Sequence, residues 1–214
     1  YRVEEGVPED RKYFQQLFQY AQTNQLSQPD QYRDVENLLD IDSYIDFNIV
    51  FVYLNNASWH GNNHFRFWRA RKTSGEPFAD GKFRLLVWDF DHFVENPAYD
   101  NLADAVDPAG GGFFMGFPDR TLLLRALLEN TGFRNRMLNR YASHMNTTFR
   151  PERLEAIARD EWAKIDQQID WHLNRWSQPI GRVDVWGQFV TDAFLLLRDH
   201  LRTHLHAGPD VSFR

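Results

Sequence analysis

The spacing of apolar residues predicts an α+β fold that is mostly α, with one small antiparallel hairpin and a helical C-terminal bundle. Three observations lead there. Apolar positions recur at three- and four-residue steps over most of the chain. Only residues 65–71 and 82–87 read as strands, joined by the turn-rich Thr73-Ser74-Gly75-Glu76-Pro77. The 214 residues are 43 % apolar or aromatic, with 18 Phe and 7 Trp, which is enough for a thick core and argues against disorder.

Residues 10–23 form the first expected helix, with Tyr13, Leu17, Phe18 and Ala21 on one face. Gln28-Pro29 opens a second, through Leu39. Asp40 is placed to cap a third over residues 41–54, whose face Tyr44, Ile45, Ile49, Val52 and Tyr53 should be deeply buried. After the hairpin the pattern breaks up from Val94 to Pro118, where Asn96-Pro97 and Asp107-Pro108-Ala109-Gly110-Gly111-Gly112 mark a long irregular segment. Asp119 then caps a helix over 120–129, Gly132 interrupts it, and 133–145 continues. Pro151 suits the first turn of the next helix, with Leu154, Ile157, Trp162, Ile165, Ile169, Leu173 and Trp176 as its core stripe. A last helix over 185–206 carries Trp186, Phe189, Ala193, Leu197, Leu201 and Leu205. There is no internal repeat, and the whole of 1–214 reads as a single domain.

The net charge of -6 gives no electrostatic reason for nucleic acid or an anionic membrane as partner. With no cysteine, disulfides, thiolate metal sites and a Cys nucleophile are excluded. The longest apolar run, residues 49–54, is far shorter than the roughly 20 residues of a membrane span. The chain opens at Tyr1, with neither an initiator Met nor a signal peptide, and reads as a piece of a longer protein.

Two polar islands interrupt the apolar pattern. One is Asn56-Ala57-Ser58-Trp59-His60-Gly61-Asn62-Asn63; the other, at the end of the second strand, is Trp88-Asp89-Phe90-Asp91. Phosphoryl transfer needs metal held by carboxylates and an amide, and a group that orients the nucleophile. In protein kinases four residues separate the catalytic-loop base from the metal-binding Asn, Asp-x-x-x-x-Asn. Ser58 and Asn63 have that spacing, with Ser in the place of Asp. The magnesium carboxylates then follow across a hairpin, and Asp89 and Asp91 are the candidates. Strand alternation puts both on one face, about 7 Å apart along the backbone. The arrangement is that of a kinase C-lobe.

Each piece has a plainer reading. Residues 58–62 alone make a polar turn around Gly61, and Trp-Asp-x-Asp alone could be a helix cap and a surface acid. Occurring together, in this order and across one hairpin, they favour a metal site. His60, His64 and His92 match no standard zinc spacing. Arg66, Arg69 and Arg71 among Phe65, Phe67 and Trp68 read as alternation between core and solvent rather than a nucleic-acid face. Gly110–Gly112 lacks the Gly-Lys-Ser/Thr of a P-loop. His200, His204 and His206 suit the negative end of a helix dipole.

At these residues the sequence resembles the CotH kinase family, atypical kinases named for a spore-coat protein. Asp40-Ile41-Asp42-Ser43-Tyr44-Ile45-Asp46 resembles the helix before the family's active loop. Asn56-x-Ser58-Trp59-His60-Gly61-x-Asn63 resembles its Asn-x-Asp…Asn loop, and Trp88-Asp89-Phe90-Asp91 its Trp-Asp-x-Asp strand end. Leu127-Leu128-Glu129-Asn130-Thr131-Gly132-Phe133-Arg134, Arg175-Trp176, Trp186 and Leu197-Arg198 extend the likeness over most of the chain from about Asp10. The resemblance implies a kinase-like fold that binds ATP with magnesium and phosphorylates Ser or Thr on secreted or surface proteins, outside the cell or on the cell or spore surface. Ser58 stands where the family's catalytic Asp would fall, which leaves His60 or a neighbour as base, or else a pseudokinase that serves as a nucleotide-binding or structural module. The chain also begins after the place of a kinase N-lobe, so it reads as a C-lobe.

These readings make a geometric expectation. Asn63, Asp89 and Asp91 should converge on one open cleft with Ser58 and His60 on its rim, and one carboxyl of the metal-free pair should be raised in pKa by its neighbour's charge.

Overall fold

The structure, a computed structural model, describes residues 3, 5–56, 65–88, 96–109, 121–177 and 183–206. Nine helices and one hairpin are named within them: α1 (Arg11–Thr23), α2 (Pro29–Leu38), α3 (Ile41–Tyr53), β1 (Arg66–Trp68), β2 (Arg84–Leu86), α4 (Asn101–Val106), α5 (Leu122–Leu128), α6 (Thr131–Asn146), α7 (Pro151–Ile165), α8 (Ile169–Trp176) and α9 (Val183–His204). The fold is therefore α+β and mostly α, as the spacing predicts.

At the centre lies α3. Asp40 caps it by accepting a hydrogen bond from the Ser43 amide at 3.1 Å. Nine of its thirteen residues are buried, including Phe47, Asn48 and Phe51 beyond the face expected from the sequence. A helix apolar over most of its circumference has to be largely surrounded. β2, α6 and α9 pack against it, while α1 packs on α5. A chain of rings ties the hairpin to the helices: Phe14 of α1 lies 4.4 Å from Phe67 and 5.6 Å from Phe83, and Phe47 of α3 lies 5.4 Å from Phe65 (centroid distances).

Several elements differ from the sequence reading. The strands are shorter than 65–71 and 82–87 because ladder pairing covers only three residues of each. Within the stretch expected to be irregular, α4 forms, capped by the Asp100 carboxylate on the Ala103 amide at 3.0 Å. The break between α5 and α6 falls at Asn130, not Gly132. The Asn130 carbonyl oxygen of the side chain caps Phe133 N, and its amide donates to Leu26 O, each at 3.0 Å. The expected stripe on α7 and α8 has no buried residue. A 3-10 turn at Asp166–Gln168 separates these two helices, and α7 leans on α9 mainly through half-buried Leu154 against Phe189, Val190 and Ala193. Farther along α9, Leu197, Leu201 and Leu205 join the main core.

Candidate functional site

Ser58, His60, Asn63, Asp89 and Asp91 lie outside the described residues, as do His64 and His92. The expected cleft and raised carboxyl pKa fall there too. The backbone on either side of the two segments is described, and it has a definite construction.

β1 and β2 pair antiparallel with Arg66 opposite Leu86, Phe67 opposite Leu85 and Trp68 opposite Arg84. The chain therefore enters the hairpin at Phe65, directly after 57–64, on the same end of the ladder from which it leaves through Trp88, directly before 89–95. Paired strands are about 5 Å apart. This hairpin lies along α3. Phe83 pairs in parallel with Leu39, its amide donating to Leu38 O at 2.8 Å and its carbonyl accepting from Asp40 N at 2.9 Å. One residue pair farther on, the Leu85 amide donates to the Ser43 hydroxyl oxygen at 3.1 Å. Buried Arg84 locks the register: Nη1 and Nη2 each donate to Asp80 at 2.8 Å, and Nε faces Asp40 at 2.9 Å. Those hydrogen bonds hold the Asp80 carboxyl well below the usual carboxylate range.

The other end of α3 stops in a left-handed turn. Asn55 has φ +50° and is buried, its amide donates to Val52 O at 3.1 Å, and that of Asn56 donates to Phe51 O at 3.0 Å. This is the paired closure of a Schellman motif, with Asn55 at the left-handed position. The Asn55 side chain then reaches across to the far segment, Nδ2 donating to Asn96 O at 2.9 Å and to Tyr99 O at 2.7 Å. Asn101 returns the contact from α4, donating to Phe51 O at 3.2 Å. Residues 96–101, directly after 89–95, are thus laced to the turn that leads into 57–64.

His200 and His204 hold the same region from α9. His204 Nε2 lies 2.7 Å from Asp100 Oδ2, and His200 Nδ1 lies 3.6 Å from Oδ1. Two of the three histidines read as dipole partners thus grip the cap of α4, and their four-residue spacing was the available signal. The hairpin arginines have partners within the chain: Arg66 stacks over Trp88 at 4.5 Å, Arg69 over Tyr13 at 4.2 Å, and Arg71 pairs with Asp10 at 3.0 Å. Leu86, Val87 and Trp88 are exposed on the approach to Asp89.

A second polar system joins α3 to α6. Arg136 Nε donates to Asp42 at 2.9 Å, and Arg140 Nη2 donates to Asp46 at 2.6 Å. The Arg136 hydrogen bond lowers the Asp42 carboxyl, whereas burial and then Glu36 push the Tyr32 hydroxyl up to about 12. An open groove of about 730 Å³ runs along this face, lined among the described residues by Asp42, Asn135, Arg136, Asn139, Arg140 and His144.

No group of His, Asp and Glu among the described residues could hold a metal ion, and no described helix is long and apolar enough to cross a membrane. The donor chemistry of Asn63, Asp89 and Asp91, an amide oxygen and two carboxylates, suits a hard oxygen-seeking ion such as magnesium. The turn residue Asn55 escaped the sequence reading, although an asparagine directly after a buried helix is the usual alternative to glycine there.

No curated protein and no solved structure matches the chain. The family model described as CotH kinase protein matches residues 1–203, nearly the whole chain, with both polar islands inside the match. This chain belongs to the CotH kinase family.

Proposed function

We propose that residues 1–214 act as one kinase-like C-lobe unit whose site transfers the terminal phosphoryl group of ATP to Ser or Thr of a protein at the cell or spore surface or outside the cell. Asn63, Asp89 and Asp91 would hold magnesium on the nucleotide phosphates, with Ser58 and His60 beside the acceptor hydroxyl. Bound magnesium supplies neutralisation of the phosphate oxygens. The chain's own part is to orient the phosphates and the acceptor and to take up the hydroxyl proton, for which His60 is the candidate base. The observation that carries this reading is the ladder that sets Phe65 and Trp88 at one end of the hairpin, within a chain that matches the family over residues 1–203.

Calorimetry with Mg-ATP tests it. Wild type should bind, and Asp89→Ala and Asp91→Ala should each weaken binding about tenfold or more, as loss of a charged ligand does. Unchanged affinity in both variants would remove them from the site.

Ser58 favours a second reading, a pseudokinase that binds nucleotide or a surface-protein partner with little turnover. A serine hydroxyl carries no charge to accept a proton near neutral pH, and a positioned general base contributes on the order of 100- to 10,000-fold. Labelled phosphate transfer by wild type beside Ser58→Asp separates the two. Restored transfer in Ser58→Asp supports the pseudokinase; robust wild-type transfer that Asp does not improve refutes it.

A further inference from the structure

We infer that Asn55 is the positioning residue of this site, a staple that sets the segment after Asp91 against the segment before Ser58; the inference rests on the phosphoryl-transfer reading above.

The argument starts from a choice of residue. A left-handed C-terminal turn at φ +50° is best met by glycine, which has no Cβ penalty. Asparagine tolerates that backbone less well, and what it adds is an amide. Both N–H bonds of that amide are used, one on Asn96 O at 2.9 Å and one on Tyr99 O at 2.7 Å. Neither acceptor is local, since they lie 41 and 44 residues away along the chain. Each is a backbone carbonyl, so the contact fixes the course of the chain rather than the rotamer of a neighbour. Asn55 is 3 % exposed, so the donor end of both part-buried bonds is shielded from water. Asn101 strengthens the join by donating back to Phe51 O at 3.2 Å, on the same carbonyl that receives the Asn56 amide.

The staple's location gives it its role. Asn55 stands three residues before Ser58, and Asn96 five after Asp91. The hairpin ladder fixes the inner ends of the two site segments, at Phe65 and Trp88. Asn55 fixes their outer ends. Together the ladder and the staple anchor both ends of the two segments that carry the candidate residues. A misplacement of 1 Å at such a site can cost about 100-fold in rate.

Two substitutions separate this role from helix termination. Asn55→Gly keeps the turn and deletes the staple. Asn55→Asp keeps the shape but turns a carboxylate oxygen toward two carbonyl oxygens. Hydrogen exchange on the full chain should quicken about tenfold over residues 96–106 in both variants, with α2 and the middle of α6 unchanged. Mg-ATP affinity should fall about tenfold in both, and Asn55→Gly should not recover it despite its better turn geometry. Unchanged exchange over 96–106 overturns the staple. Faster exchange with wild-type Mg-ATP affinity overturns the positioning role alone. Absence of Mg-ATP binding by wild type overturns the phosphoryl-transfer reading and this role in it, while the exchange result still decides whether the staple exists.

Discussion

Two stretches of this chain both show helical apolar periodicity in the sequence and meet opposite fates. α3 has nine of thirteen residues buried, while α7 and α8 have none, and Trp171 and Trp176 of α8 stand 84 % and 61 % exposed. What separates them is how much of each helix is apolar and which neighbours it meets. α3 is met by β2, α6 and α9, whereas α7 meets chiefly α9 and α8 follows on from the 3-10 turn. An apolar stripe reports that a face exists and how wide it is, and leaves open what lies over it.

Truncation on the two sides should give the largest contrast. Phe51→Ala in α3 should cost about 3–5 kcal/mol, the range for emptying a packed aromatic site. Trp171→Ala should stay within about 0.5 kcal/mol, as surface changes do. Urea unfolding of both variants reads the difference directly, and a cost above about 2 kcal/mol at Trp171 would mean that α8 is covered in solution.

A smaller effect sharpens the comparison at the polar level. Arg84, buried within strand β2 of the hairpin, and Arg136, on the open α3–α6 face, are each held by two carboxylates. Arg84→Leu should cost about 1–3 kcal/mol, below the full figure for a buried pair because Asp80 is partly solvated. Arg136→Leu should cost about 0–1 kcal/mol. Equal losses in thermal unfolding would contradict the burial difference.

The smallest effect depends on pH. Asp42 is held below its ordinary 3.8, first by the Arg136 hydrogen bond. A depressed carboxyl contributes its stability in full above the unfolded value and loses it as pH falls through the lowered folded value. Wild type should therefore exceed Asp42→Asn by under about 1 kcal/mol at pH 7, and the two should converge in acid below 3.8. A gap that widens on acidification would reverse the assigned sign.

What was legible in the sequence followed from local rules. The Asp40 cap, Pro29 and Pro151 in first turns, and the stripe of Phe189, Ala193, Leu197, Leu201 and Leu205 all depend on neighbours a few residues away. The hairpin between the two polar islands was legible for the same reason, and the ladder is observed. Helix α4 stayed hidden because six residues carry too little periodicity, and its cap is held partly by His200 and His204, about a hundred residues later. Asn55 stayed hidden because its acceptors are backbone carbonyls, which leave no trace in side-chain pattern.

The surroundings of α3 also set a timetable for making the protein. The Tyr141 hydroxyl that meets Asn48 O, the arginines that meet Asp42 and Asp46, and the Phe149 carbonyl that receives the Tyr53 hydroxyl all lie 93 to 96 residues downstream of their partners. At ribosomal rates of roughly 5–20 residues per second, α3 leaves synthesis about 5–20 s ahead of the helix that covers it. For that interval its aromatic and branched side chains have no α6 to bury them. The centre of the finished fold thus spends that interval with apolar surface uncovered, a state that favours aggregation and suits a holding chaperone.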